Sequence, residues 1–318
     1  MLKYFARRLL GMIPMLLLIS VLVFFALELT PLDPVSYLIS PDAAVSTENL
    51  EALREKLGLN DNVVVRYFRW MGNILRGDFG YSIVSGDPIG RIIALKLPAT
   101  MELALLALLV STVLGVGLGI IAAIRQNGIV DYVARFVSVL GISIPQFFFG
   151  ICIIWVFAVT LGWLPAGGRI AYGSETFWDR LPYLVLPVMT MVLSMMCALT
   201  RYTRNSMLDV MSKDYVKTAR SKGLPEWQVY IKHVFRNSMR PVLTVLCFRL
   251  PMLIGGSVVI ESLFAWPGIG TVVLSSVTAG DYPVIMMSTL MVAVMILFAS
   301  FLVDILSAAL DPRIRFNK

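Results

Sequence analysis

Residues 201–241 read RYTRNSMLDVMSKDYVKTARSKGLPEWQVYIKHVFRNSMRP, a long polar interval between two strongly apolar runs. Nine Lys/Arg (Arg201, Arg204, Lys213, Lys217, Arg220, Lys222, Lys232, Arg236, Arg240) stand against three acids, Asp209, Asp214 and Glu226. Positive loops are retained on the cytoplasmic side of a membrane, so this interval is placed inside and the runs flanking it cross. The interval is also patterned. Asp214 to Lys222 holds no breaker and then meets Gly223 and Pro225, a helix stop followed by a restart. From Glu226 onward, Trp227, Tyr230, Ile231, Val234 and Phe235 follow helical spacing and form one apolar face. The reading is helix, tight Gly-Leu-Pro turn, helix. A loop held inside by charge alone needs no such face, so the pattern points to a docking surface.

Composition agrees with a membrane chain. Hydrophobic residues make up 58% of the 318 and charged residues 15%. A span needs roughly 20 apolar residues, so several fit. The net charge of +7 comes from Lys and Arg beside apolar runs, which marks topology rather than a nucleic-acid surface. The three cysteines, Cys152, Cys197 and Cys247, lie inside apolar runs without paired spacing and read as small packing residues.

Outward from the basic interval, the chain divides into six spans. Lys3, Arg7 and Arg8 precede an apolar run from Leu9 to about Leu29, a retained first span (residues 1–29) with its amino end inside. Residues 30–98 are polar and expected outside, with two amphipathic helices, one from Ser46 to Gly58 and one from Val63 to Leu75. Residues 99–308 form a five-span core that includes the 201–241 loop. Its spans are expected at Ala99–Ala123, Phe136–Leu161 (with Pro145 in its first half), Tyr183–Thr200, Val242–Ile260 and from Val284 to about Ala308. Gly115 and Gly119 in the second span make a small-xxx-small pair that permits close helix approach, read as packing first and a dimer contact second. The segment from Glu261 to Pro283 carries no Lys or Arg and is expected outside. Residues 309–318 form a cytoplasmic tail. Basic residues then cluster inside, outside ones lie mostly in the long first loop, and both termini are cytoplasmic.

Several chemistries lack their residues. No G-x-x-x-x-G-K-[ST] phosphate loop occurs, so this chain is not expected to hydrolyse ATP. The single histidine, His233, has no second His or Cys nearby to share a metal, and no G-x-S-x-G elbow exists. No catalytic residue, metal ligand or cofactor of its own is therefore expected. Charges within spans are functional candidates by default. Arg249 is expected either to snorkel or to line a pathway, and Asp304 to pair within the bundle or line it. Glu28 and Glu102, at outer span ends, are expected to be solvated.

Read with the spans, the basic interval resembles the inner-membrane permease subunits of bacterial ABC importers. The family's cytoplasmic E-A-A-x-x-x-G motif is matched by Lys217-Thr218-Ala219 with Gly223 at the glycine. DYVKTARSKGL (214–224) is very similar to the form found in the peptide and nickel branch. RRLLGMIP, GDFGYS (77–82), LPATMEL (97–103), SIPQFFFG (143–150), HVFRNSMRP (233–241), FAWPGIG (264–270), DYPVI (281–285) and DPRIR (311–315) extend the resemblance over nearly the whole chain, to the first permease of the pair. Departures are Leu32 for the glycine of P-G-D-P, Gly280 for the arginine before D-Y-P, and Arg249 at a position usually uncharged.

The resemblance implies a type I importer permease, all-α and multi-pass, in the bacterial inner membrane among its lipids. It implies coupling to ATPase subunits through Asp214, Tyr215, Lys217, Ala219, Arg220, Gly223, Leu224 and Trp227. Rigidity of that hairpin is expected from the Gly223–Pro225 turn and the Trp227/Tyr230/Ile231 stripe. The implied partners are a second permease of a different chain, two ABC ATPases carrying ATP and Mg, and an extracytoplasmic substrate-binding protein. Di- or oligopeptides are the first cargo reading. Nickel or another chelated metal is the second, toward which FAWPGIG and the AALDPRIR ending lean. From another class, an ATP-independent channel or proton-coupled carrier is an alternative that the hairpin argues against.

Overall fold

A computed structural model of the chain describes residues 2–29, 60–170 and 176–310. The amphipathic helix expected from Ser46 to Gly58 and the tail after 310 lie outside these residues. In order, the helices are α1 (Leu2–Glu28), α2 (Val63–Leu75), α3 (Ile89–Ile124), α4 (Ile129–Ser143) and α5 (Gln146–Ile153, continuing as a π-helix over Ile154–Thr160). They are followed by α6 (Phe177–Met211), α7 (Asp214–Ser221) and α8 (Glu226–Gln228, continuing as a π-helix over Val229–Phe235). The last three are α9 (Arg236–Leu263), α10 (Ile269–Ala279) and α11 (Tyr282–Leu310).

Residues 7–28 of α1, all of α3, residues 178–211 of α6 and residues 282–305 of α11 are long and apolar enough to cross a membrane. The third expected span is not one straight helix. It breaks at Ile144-Pro145, and α4 and α5 bend by 103° there, so they supply a fifth crossing only if taken together. Pro145 causes the break locally: it excludes Ile144 from helical backbone, and Ile144 is extended at ψ 125°.

Other boundaries moved for tertiary reasons. α3 begins ten residues before the expected span and runs through Pro98. Its extra turns bury Ile89 and Ile93 against Ile269, Val272, Val284 and Met287, which holds the helix together past the proline. α6 runs past Thr200 to Met211, so the first quarter of the basic interval is helix rather than loop. Thr203 and Met207 are fully buried on its far turns. The segment 261–283 contains α10, an apolar helix of 11 residues with Ile269, Gly270, Val272 and Ser276 buried.

The centre is built by α3, α5, α6 and α9 around Ala99, Leu103, Ala107, Ile153, Leu186, Met191, Leu199, Ile260, Phe264 and Trp266. Lipid is as apolar as these side chains, so helix association here rests on close packing. The glycine pair of α3 provides it. A Cβ on Gly115 would lie 2.7 Å from Leu199 Cβ and 2.8 Å from the Met196 carbonyl oxygen. One on Gly119 would lie 2.6 Å from Thr203 Cβ. The pair therefore packs α3 on α6 within this chain.

Around the start of α10, polar groups replace close packing. Trp266 is fully buried and its Nε1–H donates to the Ala99 carbonyl at 2.9 Å. Buried Glu261 accepts from the Gly270 N–H at 2.7 Å, and the Ile269 N–H donates to Thr100 Oγ1 at 2.8 Å. Together they satisfy the first orphan donors of α10. A side chain at Gly268 would collide with Glu261 and Thr100. Asp281, buried, accepts from the Ser82 hydroxyl and from the Ile83 N–H at 3.2 Å, tying the loop before α3 to the start of α11. α2 has the expected span, capped by Asn62 Oδ1, which accepts from the Val64 N–H at 2.9 Å. It rests on α1 through a Ser20–Tyr67 hydrogen bond of 2.9 Å and rings of Phe24, Tyr67 and Trp70.

Candidate functional site

The basic interval folds as a helical hairpin hung from α6. Asp214 opens α7, where a carboxylate favours the helix N-terminus, and accepts from Lys217 Nζ at 3.0 Å. Gly223 takes a left-handed φ of +77°, with open space where a side chain would sit. The backbone, not crowding, therefore calls for glycine at the turn. Across that turn Arg220 donates to Glu226 at 3.0 Å through Nε and 3.3 Å through Nη2, joining the two helices. Both are partly exposed, and the pair is worth little beyond holding register.

What fixes the hairpin is a buried apolar set. Val216, Ala219, Val229 and Val234 pack with Met207 of α6 and Ala123 at the end of α3. Leu224 and Tyr230 are half-buried at its edge. Here the structure corrects the expected source of rigidity. Trp227 is 60% exposed and Ile231 58%, so two members of the stripe stand outward while Val229 and Val234 face in. The π-helical turn over Val229–Phe235 shifts the register that a 3.6-residue period assumes. Tyr215, at 44%, is exposed on α7 as well.

Of the residues singled out from sequence, Asp214, Tyr215, Lys217, Arg220, Gly223 and Trp227 lie on one exposed hairpin, with Ala219 buried and Leu224 half-buried beneath. The hairpin thus exposes three large apolar side chains, Tyr215, Trp227 and Ile231, together with Lys213, Lys217, Lys222 and Lys232. It suits a partner with an apolar groove and an acidic rim.

A second element of this region was not legible in the sequence. Asp131, on the first turn of α4, is fully buried, and Arg204 of α6 grips it with both Nε and Nη2, the latter at 2.8 Å. Asp131 also accepts from the Asn127 N–H at 3.0 Å, with Arg135 Nε 3.5 Å away. The pair locks the α3–α4 turn to α6 just above the hairpin. Below it, Ser206 Oγ donates to the Ser238 carbonyl at 2.7 Å, fastening α6 to α9.

The membrane-level charges separate into two kinds. Asp304 meets Arg8 at 2.9 Å, the pairing within the bundle that its position suggested. Glu28 and Glu102, expected to be solvated, are instead paired, with Arg66 at 2.7 Å and Arg169 at 2.6 Å. Arg249 is half-buried on α9 and meets no partner among the described residues.

Comparison with known proteins places these features in context. Residues 115–316 match the family described as binding-protein-dependent transport system inner membrane component. Residues 1–104 match the family of its N-terminal membrane component. The chain is 41% identical to the oligopeptide transport system permease protein AppB of Bacillus subtilis over 318 residues, 99% of this chain and 100% of that one. It is 37% identical to the glutathione transport system permease protein GsiC of Escherichia coli K12 over 317 residues, the whole of both chains. Among solved structures, the MetNI methionine ABC transporter superposes with a TM-score of 0.57 at 15% identity, over 71% of this chain and 99% of that one. An amino acid ABC transporter gives 0.54, over 69% and 94%. At that identity the likeness speaks for the fold.

Proposed function

The chain belongs to the binding-protein-dependent transport system inner membrane component family, and on that premise we propose that it is a permease subunit of an ATP-driven importer of di- and oligopeptides. The observation that carries the cargo is end-to-end similarity to permeases named for oligopeptide and glutathione transport. α9 is a helix of 28 residues. With it as a further span, the chain crosses six times and keeps both termini in the cytoplasm.

In this reading, substrate arrives outside on a binding protein and passes between this chain and a second, different permease. Two ATPase subunits hold ATP and Mg and perform the hydrolysis; this chain holds neither. Their closure moves the hairpin of α7 and α8, gripped at Tyr215, Trp227 and Ile231. Asp214, Lys217 and Arg220 set the charge around that patch, Gly223 sets its turn, and Ala219 and Leu224 support it from below. The buried valines and the Asp131–Arg204 pair make the hairpin move as one body with α3, α4 and α6. The packed helices thus carry a displacement rather than absorb it, which alternating access requires.

The test is ATP-dependent uptake by vesicles holding the assembled complex, with a labelled dipeptide, a longer peptide, glutathione and chelated nickel offered in parallel. Peptide uptake that needs both ATP and a binding protein is expected. Nickel uptake without peptide uptake would transfer the machine to the metal branch. Uptake without ATP would remove the coupling role of the hairpin.

A further inference from the structure

Arg249 is the fourteenth residue of the 28 in α9. It lies eight residues past Pro241, the end of the basic interval, or roughly 12 Å further along the helix at 1.5 Å per residue. Four other charged pairs are closed within the chain: Arg8 with Asp304, Glu102 with Arg169, Arg66 with Glu28 and Arg204 with Asp131. Among the described residues, no hydrogen bond, ion pair or ring contact reaches the Arg249 guanidinium. It borders an open stripe of α9 formed by Pro241, Thr244, Phe248, Gly255 and Val259, all exposed at helical spacing. The opposite face, with Val242, Leu253, Ile254, Ser257 and Ile260, is buried in the core.

A guanidinium that far into a span is too costly to present to acyl chains, and such charges face a protein interior or a water-filled cavity. In the peptide-importer reading, the side of α9 that carries Arg249 would line that cavity. We infer that Arg249 is a subsite for the anionic end of the cargo, the α-carboxylate of the transported peptide; this rests on the peptide-importer reading above. Every unmodified peptide carries that carboxylate whatever its side chains, so one arginine serves a mixed cargo. The guanidinium fork matches a carboxylate with two parallel hydrogen bonds. A single partly hydrated contact is also weak enough to release the cargo when the path opens inward.

The experiment compares a tripeptide of neutral side chains as free acid and as C-terminal amide. Each is loaded beforehand to equal occupancy on the same binding protein and offered to vesicles of the assembled complex. Wild type and R249K are expected to favour the free acid by about tenfold, the scale of one charge-assisted hydrogen-bonded contact. R249Q is expected to bring that preference close to one. An unchanged preference in R249Q, with wild-type uptake intact, overturns the subsite alone. Failure of R249Q to assemble where R249K assembles would assign the charge to a carboxylate on the second permease and overturn it too. Uptake of neither peptide by wild type would overturn the importer reading, and the subsite with it.

Discussion

Asp131 and Arg204 stand 73 positions apart in sequence and share two hydrogen bonds in a site where the carboxylate has no solvent exposure. Removing one member of a buried pair strands the other charge, which costs more than the pair itself contributes. Asp131→Asn is therefore expected to destabilise the subunit by about 3 kcal/mol, read as a lower unfolding temperature in detergent. Replacing both residues with apolar ones, D131L with R204M, is expected to be milder than D131N alone. A double variant as damaging as the single would contradict the stranded-charge account. Arg204 was visible among the basic residues of the 201–241 interval, but nothing local identified its partner. The glycines differ in this respect. Gly115 and Gly119 announced close packing by their spacing, and Leu199 and Thr203 are what they admit.

At the scale of the element, the hairpin from Asp214 to Phe235 divides into an inner set that holds it and an outer set that is free to bind. Trp227→Ala combined with Ile231→Ala is expected to change stability by no more than about 0.5 kcal/mol, since both side chains are exposed. The same double variant is expected to weaken co-purification with the ATPase subunits by about tenfold or more, because exposed aromatic anchors dominate such interfaces. Val229→Ala should do the reverse at first: a loss of about 2 kcal/mol in stability from the emptied site beneath the hairpin. If Val229→Ala were silent and Trp227→Ala destabilising, the inward and outward faces would be exchanged. The two helices and the turn between them were readable from Gly223, Pro225 and the apolar spacing. Which apolar residues faced inward was not, because the π-turn after Gln228 rotates the face away from the expected period.

The whole molecule is a helical bundle with a polar hairpin at α7 and α8 and a second polar cluster around Glu261, Thr100 and Asp281. In a cysteine-free background, Ser85→Cys is expected to react with a membrane-impermeant thiol reagent added outside, and Ser221→Cys only once the membrane is opened. Both positions are exposed. Labelling of Ser221→Cys from outside would invert the orientation. Sequence alone determined the membrane class, the existence of the hairpin and the family, since these depend on composition, charge and local spacing. Tertiary structure decided the rest. It carried α3 outward past Pro98, bent the third span at Pro145, paired Asp131 with Arg204 and left Arg249 without a partner among the described residues. Each of these depends on which surfaces meet across the bundle, and a side chain's cost or benefit in a membrane is set by the neighbour it finds there.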